Sequence, residues 1–584
     1  MTSKRPDTKH TVNLATGCVG DSCASGTGNG VSVNRRTLLQ GAAAGAASLA
    51  LVGGLPGGAS AQGEAMIESL ILGGIGGGSN PQINLNAYSP NSLAGGAFMF
   101  ETLYIINAYN CEQVPWLAES YEWSADNLTL TYTIRDGVLW SDGTPFSAAD
   151  VDFTFNLLKA NSGLDLETAW SSLESVKAVD NTVVFTFAKL AIPDFFRICR
   201  TRIVPKHQWE TFADPVAEVN ATPIGTGPFI FESFTGEQVT AVRNERYWQA
   251  ERIRIQRLIW QREAGEPQVN QLRLANGEYD WAGMYIPNVE QVFVAKDSDH
   301  NKYWFDQGGS IGIGMNLTKE PFNDLAFRKA LAFVIDRAKI IQNAQLGYVT
   351  AASQTGLKLP GHGEWLNPEI PNEGYIGYDV EAAKQAFTAA GYTTDSDGRL
   401  LNKAGQPIEF RFMVPAGYAD WIQAAQIIQE NCAAVGITLN VETPDVEIHD
   451  QDRAAGNYDA YFQVHGGSCD MFANFYDNFV SERSAPIGEA AVSNWIRFEN
   501  AQLDELTAEL ATTTDVARQK ELVKELQLIL YNEIPVIDLW YGAQWFEYRT
   551  EKAEGWPSAE NPYCSPNPNP QLVLINLVPP GEGA

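Results

Sequence analysis

The sequence predicts an α/β protein built in about three lobes. Three observations carry this reading. Segments rich in β-formers recur among segments with a helical apolar period. The stretch 421–441 runs from helix directly into strand. The 584 residues, 45% apolar and 19% charged, can bury several cores and lack the composition of a disordered chain.

The first element is an address. Residues 1–33 are polar, and Asn34-Arg35-Arg36-Thr37-Leu38-Leu39 then precedes a Gly/Ala/Leu stretch from Gly41 to Leu55 and the small-residue sequence Ala59-Ser60-Ala61. Paired arginines, a weakly apolar segment and a small-x-small site together predict a twin-arginine export signal over 1–61, removed on export. The stretch is too short and glycine-rich for a membrane span, which needs about 20 strongly apolar residues.

Beyond it, Leu128–Ile134 and Val183–Phe187 are expected as strands, and Ala148–Leu158 as a helix capped at Ser147. Leu325, Leu331, Val334 and Ile335 form one helical apolar face reaching Ile341. Asp379 caps a helix to Gly391, and Trp421–Val435 forms another, stopped by Gly436 before the strand Ile437–Val441. Leu503–Ile534 holds one or two helices, followed by a strand at Val536–Tyr541.

Charge and motifs exclude several classes. Lys+Arg number 40 against 70 Asp+Glu, a formal charge of −30, and no basic run is interleaved with aromatics, so nucleic acid and anionic membrane surfaces are not expected partners. The six histidines lie at no ligand spacing, so no metal site or cofactor is expected. No phosphate-binding loop is present, and the run Gly73–Gly78 lacks the spacing of a dinucleotide fingerprint. Gly308-Gly309-Ser310-Ile311-Gly312 matches the nucleophile-elbow pattern, but the residues after it read as strand where that motif needs a helix. A glycine-rich strand passing close to another backbone fits better. Downstream of the export segment stand Cys111, Cys199, Cys432, Cys469 and Cys564, an odd number in no CxxC spacing. Their pairing is not readable, and export in the folded state weakens the expectation of a disulfide. Nothing here points to catalysis.

Five stretches then form a pattern. Leu117–Val138 leads into Trp140-Ser141-Asp142-Gly143-Thr144-Pro145-Phe146-Ser147-Ala148-Ala149-Asp150-Val151. Gly225-Thr226-Gly227-Pro228-Phe229 is followed by Arg243-Asn244-Glu245-Arg246-Tyr247-Trp248. Asn316, Pro321-Phe322-Asn323-Asp324, Arg328-Lys329-Ala330 and Ile335-Asp336-Arg337 form a third group, Tyr378–Lys384 with Ala390-Gly391-Tyr392 a fourth, and Ile534-Pro535-Val536-Ile537 a fifth. In this order the chain resembles the family 5 extracellular solute-binding proteins of ABC importers, the oligopeptide, dipeptide and nickel-binding group. The motifs also make local sense as turns and caps, Ser147 with Asp150 being a capping box, so their expected role is to hold the fold.

The resemblance implies a two-lobed periplasmic-binding-protein fold (type II, cluster C) with an additional domain in lobe I. Lobe I would comprise 62–105, 222–315 and 542–584, the extra domain 106–221, and lobe II 316–541. It implies a non-enzymatic, exported, monomeric protein that captures an oligopeptide-class solute between the lobes and delivers it to an ABC permease with its ATPase subunits. In peptide-binding members a lobe II aspartate anchors the α-amino group. The corresponding stretch, Phe462–Phe472, departs from that pattern, with His465, Gly467 and Ser468 near the expected positions and Asp470 as the substitute carboxylate. The opposite wall would offer Asn86, Tyr88, Ser89 and Asn91. Trp260, Trp281, Trp421 and Trp545 are candidate stacking platforms. Neutral polar groups with aromatics also suit an oligosaccharide of the cello-oligosaccharide type, which is the alternative ligand. An exported hydrolase using the same cleft is a remote alternative.

Overall fold

The computed structural model describes residues 65–74, 81–264, 267–567 and 569–582; the expected export signal lies outside them. Three sheets organise the chain. A seven-stranded mixed sheet runs in the order Asn301–Tyr303, Glu547–Arg549, Trp281–Ala282, Leu70–Gly73, Arg257–Gln261, Gln238–Arg243, Phe229–Phe234. At its centre Leu70–Gly73 pairs in parallel with Arg257–Gln261 and Trp281–Ala282. An antiparallel four-stranded sheet contains Ala118–Trp123, Thr129–Ile134, Thr182–Phe187 and Leu173–Val179. The helix Ala148–Ala160 packs on it, begun by the capping box of Ser147 and Asp150. Thr129–Ile134 and Thr182–Phe187 alternate half-buried and buried residues, as a sheet covered on one face requires. One continuous core joins these two sheets, with Leu70, Tyr132, Trp140, Phe155 and Trp281 in it.

The third sheet has five strands, in the order Thr438–Glu442, Glu409–Met413, Ala460–His465, Asp306–Met315, Val536–Gln544. Its two faces bury separate cores. Ile311, Ile313, Phe462 and Ile537 point to one, and Met413, Tyr461, Val536 and Tyr541 to the other. The helix Ala419–Ala433 connects the parallel strands Glu409–Met413 and Thr438–Glu442, the α-to-β unit read from sequence. The expected 503–534 segment is two helices, Ala501–Thr512 and Val516–Glu533. Asp306–Met315, placed by the sequence reading at the end of lobe I, pairs instead within the five-stranded sheet.

The family-like motifs serve backbone. The Arg328 guanidinium donates to the carbonyls of Phe322, Glu533 and Ile534, and Arg337 donates to those of Asp538 and Ala332. Tyr247 donates its hydroxyl to the buried Glu101, and Trp248 packs on Trp116.

The two larger sheets are joined by an antiparallel ribbon. Asn301–Tyr303 pairs with Glu547–Arg549 in one sheet, and the same two strands resume as Asp306–Met315 and Val536–Gln544 in the other. The chain thus crosses twice, at 304–305 and 545–546. A third covalent connection was not expected: Cys111 and Cys469 form a disulfide, with Cα atoms 5.3 Å apart. Cys199, Cys432 and Cys564 are buried and free. Among the described residues no helix is long and apolar enough to cross a membrane.

Candidate functional site in the interlobe cleft

Ligands of open α/β sheets bind outside the carboxyl ends of parallel strands. In the seven-stranded sheet Trp281–Ala282 runs out into Tyr285; in the five-stranded sheet Glu409–Met413 leads to Asp420 and Ala460–His465 to the loop 466–470. These ends approach one another. The Tyr285 phenol is pushed up to about 12, first by burial and then by the nearby Asp420 carboxylate of the other body. Asp420, held by Gln345 at 3.3 Å, is itself raised by burial.

The crossing ribbon is lined with aromatics on both faces, because successive residues of an extended chain point opposite ways. On one face Phe305 packs on Trp545 at 4.8 Å and Tyr348 at 5.3 Å, and Tyr285 meets Trp545 at 5.3 Å. All four rings are only half-buried. The Tyr348 hydroxyl accepts from the Val289 amide at 3.0 Å and donates to Glu290 at 3.2 Å, so this face is closed by non-covalent contacts between the two bodies. On the opposite face Trp304 packs on Tyr109, in the loop that holds Cys111.

That second face is denser. Lys358 donates to the Ala108 carbonyl at 3.2 Å and the Gln307 carbonyl at 3.4 Å, beside Asp306. Burial holds Lys358 below the ordinary lysine range and Asp306 above the carboxylate range, each opposed by the other's charge. The loop 466–470 lies against the ribbon. A Cβ on Gly467 (φ +81°) would stand 2.8 Å from the Gly309 Cα, and one on Gly309 would stand 2.8 Å from the His465 carbonyl. These are the close backbone approaches expected of the glycine-rich strand.

Of the predicted site residues, the structure brings His465, Gly467, Ser468 and Asp470 together in this loop. Asp470 is buried and caps the helix Met471–Phe479, accepting from the Phe472 amide at 3.0 Å. Burial pushes its pKa up to about 7, against the charge of Arg200 in the other body. The Ser468 hydroxyl accepts from the Asp470 amide, and its backbone is clamped by Asn474. His465 is buried, hydrogen-bonded through Nε2 to Asp538 at 2.7 Å, and Ser310 donates to the same Asp538 oxygen. The aspartate thus stands between serine and histidine, and the imidazole does not contact the Ser310 hydroxyl as the base of a Ser-His-Asp triad would.

The other predicted residues lie elsewhere. Asn86 is buried and donates to the carbonyls of Pro215 and Glu218, and its own oxygen accepts from the Tyr88 amide. The Tyr88 hydroxyl donates to the Arg202 carbonyl, Ser89 accepts from Asn84, and Asn91 is exposed on the same turn. Trp281 and Trp260 are buried in the first core, Trp281 among Phe98, Phe546 and Trp556. Trp421 is half-buried against Tyr418 and Phe462. Tyr285, Phe305, Tyr348 and Asp420 were not anticipated; the signal available was an aromatic residue just past a strand for Tyr285 and an acidic residue in the first turn of the following helix for Asp420.

Two α/β bodies, a double crossing and a cleft at the carboxyl ends of their strands define a two-lobed solute-binding protein. Residues 112–486 match the bacterial extracellular solute-binding proteins, family 5, and the chain belongs to that family, whose members bind solutes and are not enzymes. It is 26% identical over 455 residues to a glutathione-binding protein of Escherichia coli, covering 72% of this chain and 79% of that one. It is 24% identical over 481 residues to the Escherichia coli nickel-binding periplasmic protein, covering 79% and 86%. In fold it is similar to a periplasmic oligopeptide-binding protein of an ABC transporter from Thermotoga maritima, with TM-score 0.80, 28% identity, and 88% and 99% of the two chains covered. The mannohexaose-bound form of that protein superposes with TM-score 0.73.

Proposed function

We propose that this chain is the exported substrate-binding component of an ABC importer and captures a neutral oligosaccharide in the interlobe cleft. The observation that carries this is the half-exposed cluster Phe305, Trp545, Tyr285 and Tyr348, which offers flat apolar faces to a sugar ring with Asp420 and Gln345 beside it as hydrogen-bonding groups. The expected ammonium anchor supports the same choice. Asp470 is engaged as the cap of the helix Met471–Phe479, so a ligand ammonium would have to share its carboxylate with the Phe472 amide. That a relative named for oligopeptides also holds mannohexaose makes a sugar reasonable in this fold. The twin-arginine segment would deliver the folded protein outside the cytoplasm, where the permease and its ATPase subunits are its partners.

A peptide is the second reading, favoured by the oligopeptide- and glutathione-binding names of relatives and by Asp470 standing in the loop where an amino anchor belongs. The test is a thermal-shift screen with β-1,4-linked gluco- and manno-oligosaccharides and with di- to pentapeptides, since a ligand bound only by the folded state raises its melting temperature. Stabilisation by sugars alone supports the proposal. Stabilisation by peptides, lost in Asp470→Asn, replaces it with the second reading.

A further inference from the structure

The disulfide sits in an unusual place for a protein that must open. Cys111 and Cys469 are 358 residues apart and belong to different bodies. Each is rigidly seated in its own body. On the first side, Asn107 donates to the Tyr563 carbonyl at 2.7 Å, the Cys111 amide donates to the Asn107 carbonyl at 2.7 Å, and Asn569 bonds the Ala108 amide and the Ile106 carbonyl at 2.8 Å each. On the second, Asn474 clamps both polar groups of the Ser468 backbone, Asp470 caps the following helix, and Gly467 rests on Gly309. With little slack in either loop, relative motion there is limited by the bridge itself. A disulfide tolerates Cα separations up to about 6.8 Å, so from 5.3 Å this point can part by only about 1.5 Å.

The same face carries further contacts between the bodies: Lys358 on the Ala108 carbonyl, and the Ile192 amide on the Ala511 carbonyl at 3.1 Å. The opposite face of the ribbon has no bridge. There the Val289 amide on the Tyr348 hydroxyl, the Glu290 contact and ring packing join the bodies. We propose that the Cys111–Cys469 disulfide pins one face of the cleft, so that the bodies hinge about the ribbon and the bridge and solute enters by the Tyr348–Val289 face. This rests on the cleft being the solute site, but the motion itself is testable without solute.

Each face supplies its own reporter amide. Hydrogen exchange followed by mass spectrometry on the ligand-free protein reads Ile192 for the bridged face and Val289 for the other. In the oxidised protein the peptide containing Val289 should exchange at least tenfold faster than that containing Ile192. Reduction by a dithiol breaks the S–S bond, leaves two cysteine thiols and converts the reductant to its own disulfide. It should accelerate exchange at Ile192 at least tenfold and leave Val289 nearly unchanged. The double variant Cys111→Ser, Cys469→Ser should behave as the reduced protein does; if it does not fold, reduced wild-type protein makes the comparison. Equal exchange at Ile192 with and without the bridge overturns the proposal, as does faster exchange at Ile192 than at Val289 in the oxidised protein, or recovery of both cysteines as free thiols from the exported protein. Because no solute is present, a mistaken ligand class would leave these outcomes intact.

Discussion

Glu547→Gln should remove a pH dependence of stability that the wild-type protein carries. Glu547 lies at the start of the strand Glu547–Arg549, paired with both Trp281–Ala282 and Asn301–Tyr303 beside the crossing ribbon. It is fully buried; one carboxylate oxygen accepts from the Met284 amide at 3.2 Å and the other has no hydrogen-bond partner. Burial raises its pKa from 4.5 to about 8, only partly offset by backbone hydrogen bonds. The folded-state value is the higher one. The contribution is therefore fully present below pH 4.5 and is lost as pH rises toward 8, because the unfolded chain gives up the proton first. Between the two values stability falls by about 1.4 kcal/mol per pH unit, or roughly 3 kcal/mol from pH 5.5 to 7.5. Glutamine has the same shape, accepts from Met284 and does not ionise. Urea unfolding of wild type and Glu547→Gln at pH 5.5, 6.5 and 7.5 isolates this contribution from all other titrating groups. The variant should gain on wild type steadily with pH. A difference between the two that is flat across the range would refute the assignment of a buried, protonated Glu547.

Three further perturbations separate the roles of the cleft. Asp470→Asn keeps a good helix cap and should retain sugar binding, whereas Asp470→Ala removes the Phe472 contact and should cost about 1 kcal/mol in denaturant unfolding. Trp545→Ala removes a ring that contacts Tyr285, Phe305 and Tyr348, and calorimetric titration should show affinity for the sugar reduced about tenfold, an aromatic contact contributing roughly 0.5–1.5 kcal/mol. Gly467→Ala places a Cβ 2.8 Å from the Gly309 backbone at positive φ, so the folded protein should lose about 1–3 kcal/mol, read as a lowered urea midpoint at unchanged slope.

What sequence could and could not reveal follows from the range of the interactions. Asp379, Ser147 and the alternation of Thr129–Ile134 act over a few residues, and the helices and strands they predict are present. The loop 465–470 was legible as a loop, because it follows a strand in a stretch aligned with the family pattern. The opposite wall was not. Asn86, Tyr88 and Ser89 are the residue types that bind hydroxyl groups, but also those that close turns on backbone, and here the second use prevails. Trp281 and Trp545 are equivalent in sequence; only their pairing distinguishes them, since Trp281 is enclosed by three rings of the core and Trp545 lies where the chain leaves the sheet. The disulfide was out of reach, joining cysteines 358 residues apart through contacts that no local pattern encodes.

The polar group at the head of the five-stranded sheet connects these observations. Asp538 accepts from Ser310 on one ribbon strand and from His465 on the neighbouring strand, and its own backbone amide donates to Gln354 while its carbonyl accepts from Arg337. Four segments are thereby fixed to one buried aspartate, beside the end of the strand that leads into the loop carrying Cys469 and Asp470. A polar cluster bonded from this many sides resists shear more than apolar packing does, because each hydrogen bond has a direction and breaking one in the interior costs about 1–3 kcal/mol. Within the second body the loop 466–470 is therefore tied to the ribbon, and rotation of that body carries the loop with it as a unit. The motif that resembles a nucleophile elbow is better understood as this mechanical junction, in which the serine holds the strand on which the lobes turn.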